Sequence, residues 1–333
     1  MSVALKNGPA LLDATAPAER RGIARDAVRM LVTSRANGTH THARFHELPS
    51  FLKSGDLLVV NDSATLPAAL RAQRSSGETI ALHVSTAIDS RIFMVEPRAA
   101  VLCGEELQLP HGASAVMIAP VEPDRPRLWY AWMQLPLPMP QYLMQAGTPI
   151  SYGYVPHAFP LSDYQTIFAA APGSSEMPSA ARPFTLRVTD ALRHRGVEIA
   201  RITLHCGVAS FEAPERPASE RYAVSAAAAA QIDAARRDGR RVIAVGTTVV
   251  RALESAQYEG QTVAAAGWTD LVIDDEHAVT AADGLLTGFH DTAATHQWIL
   301  RAFLPRDVLL EAYTVAGEAG YYQHEFGDVH LIV

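Results

Sequence analysis

Between residues 66 and 150 the chain leaves no room for a helix of useful length. The runs ETIALHVSTA, RIFMVEPRAAVL, EELQLP, ASAVMIAPVE and RLWYAWMQL follow one another, each short and apolar or alternating, with Gly, Pro or Asp between them. Side chains alternate across a strand, so such runs bury one face and end where the turn residues stand. Repeated at roughly ten-residue spacing, they predict a small antiparallel β-barrel or sandwich. The proline-rich PLPMPQYL that follows reads as a hinge back to other material.

That other material is α/β. GDLLVVND (55–62) reads as a buried strand that delivers Asn61 and Asp62 at its mouth. Ligands collect at such mouths in α/β sheets, although Asn-Asp is also a common turn pair. From 184 onward helix and strand alternate. FTLRVTDALRHRG predicts a helix ending at Gly196, VEIARITLHCG a strand, and SAAAAAQIDAARRDG a helix with Ser225 as N-cap and Gly239 as stop. TDLVI and VHLIV predict strands, HQWILRAF and VLLEAYTVAG helices. The expected architecture is an α/β domain made of residues 1–65 and 151–333, interrupted by a β-barrel domain over 66–150.

Charge and cysteine usage narrow the partners. A net charge of -7, with Lys6 and Lys53 as the only lysines, argues against a uniformly basic coat for nucleic acid. It leaves room for a local groove built from the arginines of ERRGIARDAVRM and RAQR. Cys103 and Cys206 have no C-x-x-C spacing, so no zinc site, no other metal site and no disulfide framework are expected. The start of the chain lacks a cationic segment followed by an apolar run, and no segment approaches the roughly 18 to 20 apolar residues of a membrane helix. The expectation is a cytoplasmic protein without a membrane partner.

RVIAVGTTVVRALES (241–255) joins a strand to a helix through Gly246, Thr247 and Thr248. Glycine turns without steric conflict, threonine can cap, and the exposed N–H groups of a helix start attract a carboxylate or phosphate. The stretch lacks the glycines and lysine of a Walker loop or dinucleotide fingerprint. Taken alone it is compatible with simple capping, and Arg251 and Glu254, three apart, with a solvent ion pair.

Six ordered blocks, SGDLLVVNDSATLPAAL, DYQTIFA, ITLHCGVASF, VIAVGTTVVRALES, LLTGFH and FGDVHLI, together resemble the S-adenosylmethionine:tRNA ribosyltransferase-isomerase (QueA) family. The resemblance runs from about residue 25 to the C-terminus. It implies an α/β domain with an inserted β-barrel and S-adenosylmethionine (SAM) as substrate. The family reaction moves the ribosyl unit of SAM onto the aminomethyl group of a 7-deazaguanine in tRNA and isomerises it to an epoxycyclopentane, a step of queuosine synthesis. Asn61, Asp62, Tyr164, Gln165, Thr166, His205, Gly207, Gly246, Thr247, Thr248, Arg251, Glu254, Phe289, His290, Gly327 and Asp328 match the family's motif residues. The resemblance makes the Gly246–Thr248 turn, with Arg251, the seat of SAM's carboxylate. His290 and Asp62 are the first candidates for general base, followed by His205 and Glu254.

Several motif positions depart from the family. Ala181 stands for a glycine, Pro183 and Ala218 for histidines, Tyr322 for an arginine, Ala209 and Ser210 for glycine and threonine, and His324 and Glu325 are new. Because these fall in blocks expected to face ligand, the leading expectation is a diverged member that consumes SAM itself. Its reaction would be cyclisation or elimination of the aminobutyrate arm, a lyase chemistry that releases methylthioadenosine. Two alternatives stand beside it: the family's own tRNA reaction, and a non-catalytic nucleotide- or RNA-binding module.

Overall fold

A computed structural model describes residues 10–208, 216–274, 276–291 and 296–333. Its frame is a nine-stranded sheet. In spatial order the strands are Ala265–Thr269, Glu220–Val224, Glu198–Leu204, Leu57–Asn61, Val242–Val245, Gly284–Gly288, Val329–Ile332, Arg29–Thr33 and His40–Arg44. The four from Glu198–Leu204 to Gly284–Gly288 run parallel to one another. Leu57–Asn61 and Val242–Val245 are buried along their whole length, which is why their sequences are aliphatic rather than alternating. Parallel pairing brings Leu204, Asn61, Val245 and Gly288 to one edge of the sheet.

Helices cover the faces as their caps direct. Thr185 accepts from the Val188 amide to start Leu186–His194, and Ser225 accepts from the Ala228 amide to start Ala226–Arg237. The second helix packs Ala228, Ile232 and Ala235 against Val59, Ala244 and Leu253. Each of the larger aliphatic side chains here, Val59, Ile232 and Leu253, contributes about 1.5–3 kcal/mol when buried so fully.

The second body is a closed six-stranded barrel in the order Ser114–Pro120, Trp129–Gln134, Ile92–Pro97, Thr79–Ala87, Ala69–Arg74 and Glu106–Gln108. Every strand pair in it is antiparallel. Closure leaves no free strand edge, and Leu70, Leu82, Phe93, Val95, Leu107 and Met117 fill the interior. The chain leaves the sheet through Ser63–Thr65 and returns through Ala171–Ser174, and these two short strands pair in parallel. Around that neck the Ser175 hydroxyl lies 2.6 Å from the carbonyls of Val84 and Ser85, and the Val208 amide donates to Ser85 Oγ at 2.9 Å.

Two local expectations change. PLPMPQYL is not an extended hinge, because Met139–Ala146 is a helix entered from Pro138. Proline is tolerated in a first helical turn, whose N–H groups have no intrahelical partner. Tyr142 and Leu143 of that helix plug the barrel, and the Tyr142 hydroxyl donates to the Pro110 carbonyl at 3.0 Å. The strand expected at TDLVI lies earlier, at Ala265–Thr269. Arg251 takes the carbonyl of Thr269, the last residue of that strand, at 3.2 Å and that of Leu271 just beyond it at 3.0 Å. Among the described residues no helix is long and apolar enough to cross a membrane.

Candidate functional site

The edge where the parallel strands end opens into a cavity roofed by the barrel and its neck. Its floor is the Gly246 turn. Gly246 sits at φ 100° and ψ 151°, a region that essentially only glycine occupies, and a Cβ there would stand 3.4 Å from the Ala180 Cβ. Gly246 is itself the N-cap of the helix Thr247–Ser255 and neither threonine caps it through a side chain. Among the described residues the Thr247 and Thr248 amides have no acceptor, so the first-turn donors of a nine-residue helix meet the cavity unspent.

Behind this floor Arg251 is buried, at 5% exposure. It is ion-paired with Glu220 and also donates to the carbonyls of Leu271 and Thr269. Glu220 in turn accepts from the Gly207 amide at 2.9 Å. The guanidinium lines the cavity but its donors are largely engaged by the chain itself, in contrast to the free carboxylate anchor expected from sequence. Glu254 is not its partner. It accepts from the Thr280 and Ala281 amides at 2.7 Å and pairs with His277 at 3.1 Å, outside the cavity, where it fastens a loop.

Other motif residues divide between cavity and frame. His290 lines the cavity and stacks on His296, with ring centroids 4.1 Å apart. Burial, reinforced by His296 and His324, pushes the His290 pKa well below the ordinary imidazole value. Burial likewise holds His296 down to about 4. Both rings are therefore neutral at neutral pH. Tyr164, a buried residue of the cavity lining, has its phenol pKa raised by burial.

Asp62 and His205, two candidate bases, lie elsewhere. Asp62 accepts from the Thr203 hydroxyl at 2.6 Å and faces a separate cleft beside Arg201 and Ala223. His205 bonds Ser63 Oγ at 2.7 Å and borders another cleft with Arg221 and Trp132; burial lowers its pKa. Asn61 is a staple. Its amide donates to the Leu204 carbonyl at 2.8 Å, and its oxygen accepts from the Leu204 and Ser63 amides, both at 3.0 Å. Gln165 pairs with both backbone groups of Thr65, and Thr166 caps the Phe168 amide. Phe289 is core and lies parallel to His330. Asp328 accepts from the Arg29 and Tyr322 amides at 2.7 and 2.9 Å, and a Cβ on Gly327 would stand 2.6 Å from the Tyr322 carbonyl. These last positions hold backbone in place, and none of them lines this cavity.

A further group of cavity-lining residues was not singled out from sequence. Tyr152 donates to Glu176 and Tyr154 to Glu325, all four lining the cavity. Tyr154 stacks on His324 with centroids 4.0 Å apart. Only Glu325 and His324 carried a signal, as departures from the family pattern. From the barrel Arg127 reaches the same cavity, held at 2.9 Å by Glu96, which His83 bonds at 3.0 Å. Burial works against the Glu96 carboxylate, yet the bonds from His83 and Arg127 keep its pKa below the usual value.

The other departures sort the same way. Ala218 lines the cavity, whereas Ala181 is core and Pro183 lies in a narrow crevice behind it. Tyr322 packs under the Arg21 guanidinium, 4.6 Å away. Ala209 and Ser210 lie outside the described residues. Fewer of the departures face the cavity than their place in the motif blocks suggests. Among the described residues no group of three or more His, Cys, Asp or Glu is arranged to hold a metal ion.

Comparison with known proteins follows the same outline. Residues 8–332 match the profile of a family described as "Queuosine biosynthesis protein". An S-adenosylmethionine:tRNA ribosyltransferase-isomerase of Moorella thermoacetica is 36% identical over 93% of this chain and 94% of its own. That of Acidithiobacillus ferrooxidans is 35% identical over 92% of each. The crystal structure of S-adenosylmethionine tRNA ribosyltransferase from Thermotoga maritima superimposes with a TM-score of 0.56 at 27% identity, covering 98% of this chain and 99% of that one. These relatives support the transferase and isomerase part of the expectation and give no support to a lyase.

Proposed function

Because the chain belongs to the queuosine biosynthesis protein family, we propose that it transfers and isomerises the ribosyl unit of SAM onto the aminomethyl group of a 7-deazaguanine in tRNA. Adenine and methionine leave as products. The observation that carries this reading is the cavity between the helix start at Gly246 and the barrel. It brings the unspent amides of the helix start and an aromatic wall into one cavity.

In this reading the amides of Thr247 and Thr248 receive SAM's carboxylate, because unspent N–H groups and the helix dipole both favour a negative charge there. Arg251, its charge met by Glu220, holds the structure behind this turn without having to reach the ligand. The sulfonium acidifies the C–H bonds next to it, so a positioned base can generate an ylide on the ribose side. His290 is the candidate base because it is a neutral imidazole that lines the cavity; the burial that keeps it neutral also weakens it as a base, so the role rests on its position. Asp62 and His205 face other clefts and are left out.

The test uses SAM with and without tRNA that carries the aminomethyl base, with products identified by mass spectrometry. SAM alone should persist; adding the tRNA should release adenine and methionine. Methylthioadenosine formed from SAM alone would refute the proposal and restore the self-reaction expected from sequence. Affinity for tRNA should fall steeply as salt rises, because neutralising phosphates releases counterions.

A further inference from the structure

We propose that the open sheet face carrying Arg201, His205, Arg221 and Trp268, together with Arg91 and Trp132 of the barrel, docks the tRNA strand beside the base to be modified. The inference rests on the reading just given. It adds a surface outside the cavity and names the partner that this surface fits.

Pairing register builds the face. Thr203 lies opposite Ala223 and Arg221 opposite Trp268, and residues directly opposite in antiparallel strands point to the same side. The His205 amide donates to the Arg221 carbonyl, which carries the pattern past the end of the strand. Arg201, Thr203 and His205 therefore share a side with Arg221, Ala223 and Trp268. The alternate residues Ile202, Leu204 and Val224 pack into the core on the other side. Arg201 and Arg221 are exposed, as is Trp268, at 42%. The cleft beside Asp62 and the cleft beside His205 are thus neighbouring parts of one surface, and Arg91 and Trp132 bring the barrel into the second.

The charges of this face are unspent. Among the described residues Arg91, Arg201 and Arg221 have no carboxylate partner; Arg201 and Arg221 lie over the Phe168 and Trp268 rings instead, at 5.7 and 5.9 Å. The two carboxylates in these clefts are engaged by the chain, Asp62 by the Thr203 hydroxyl and Asp89 by the Arg91 and Ile92 amides. They remain negative, but three guanidiniums outnumber them. The arginines singled out from sequence are spent by contrast. Arg20 pairs with Asp163, Arg25 with Glu19 and Arg29 with Asp328, while Arg21 donates to the Phe326 carbonyl. Arg74 is held by Glu78 and Glu105.

Guanidiniums pair with phosphates, and an exposed indole stacks a base of any sequence. His205 is fixed between them: Nδ1 bonds Ser63, and the ring lies so close on Gly173 that a Cβ there would stand 2.5 Å from it. Burial and the Arg221 charge both lower its pKa, so it meets a ligand as a neutral hydrogen-bonding ring. Next to His205 and Arg221 in the chain, Cys206, Gly207 and Glu220 line the cavity. An RNA strand held on this face therefore lies back to back with the reaction site, and only its target base has to leave the stack and cross the sheet edge.

The test titrates tRNA carrying the aminomethyl base at several salt concentrations, with SAM calorimetry and melting temperature as controls. R201Q/R221Q should weaken tRNA binding by about tenfold or more at low salt. It should also make the slope of log K against log salt shallower by about 1.4, since each single-strand phosphate contact contributes about 0.7. W268A should weaken binding by about fivefold or more with the slope unchanged, because stacking releases no counterions. In turnover these variants should raise KM for tRNA and leave kcat near wild type. SAM affinity should stay within about twofold in all of them. R20Q, which changes a paired arginine, should bind tRNA like wild type. R221Q alone serves if the double variant melts lower, with about half the change in slope. Affinity and slope unchanged in R201Q/R221Q, no loss in W268A, or a loss in R20Q as large as that in R201Q/R221Q overturns the inference. Should wild type modify tRNA in that case, only the docking face fails; should it neither bind nor modify tRNA, the proposed reaction fails with it.

Discussion

Arg251→Met should unfold the protein more readily before it does anything else. The guanidinium is buried, ion-paired with Glu220, and serves two carbonyls at the end of the Ala265–Thr269 strand and just beyond it. Methionine fills much of the space but leaves Glu220 as a partly buried charge that retains only the Gly207 amide among these partners. Breaking a buried pair from one side costs about 3–5 kcal/mol. At about 2.1 cal/mol/K per residue the 333-residue chain has an unfolding entropy of about 0.7 kcal/mol/K, so the melting temperature should drop by about 4–7 °C. If the sheet unfolds separately from the barrel, fewer residues share the cost and the drop is larger. Adding Glu220→Gln removes the orphaned charge and should restore part of the loss, a non-additivity that scanning calorimetry on the four proteins measures directly. A melting temperature within about 1 °C of wild type, together with SAM affinity reduced by about tenfold or more, would refute this reasoning. The guanidinium would then be a ligand donor, as the motif alone suggested.

Other perturbations act on separate features. Gly246→Ala forces an L side chain into a region nearly reserved for glycine and should cost about 1–3 kcal/mol in urea unfolding; no loss would mean that the turn relaxes freely. Gly147→Ala would place a Cβ 1.8 Å from the Pro67 carbonyl and should cost about 3 kcal/mol or more, read as lost folded yield and a lower urea midpoint. Burial holds His330 down to about 3, against 6.5 for a free imidazole. Below about pH 6.5 the unfolded chain binds this proton and the folded chain does not, so stability falls with acid by about 1.4 kcal/mol per pH unit. His330→Gln should flatten the profile between about pH 6 and pH 4 by that slope, and an unchanged profile would contradict it.

The barrel was legible because short runs, regular turns and missing helical periodicity all point one way, and strand closure needs little else. The Gly246 turn was legible because few residues can occupy that backbone. What stayed hidden depends on contacts between distant segments. Arg251 and Glu254 look like a pair at their spacing of three, yet each finds its partner beyond the helix, Glu220 for one and the amides of Thr280 and Ala281 for the other. Tyr152, Tyr154 and Glu176 come from stretches without periodicity, so nothing local marks them as one wall. Ala181 and Pro183 sit in a motif block but turn into the core and a crevice, since a block records chain neighbours and not the direction of each side chain.

The paired neck has a consequence for how such a molecule can change. Ser63–Thr65 and Ala171–Ser174 are bound to each other, so the two crossings into and out of the barrel are clamped side by side. The alignment of roof and floor across the cavity is thereby set by backbone bonds at the crossing, independently of how many residues the excursion contains. A different small body grafted onto the same two strands would meet the Gly246 helix at the same height. The roof over the cavity could in this way be exchanged as a module, with the Gly246 floor left untouched.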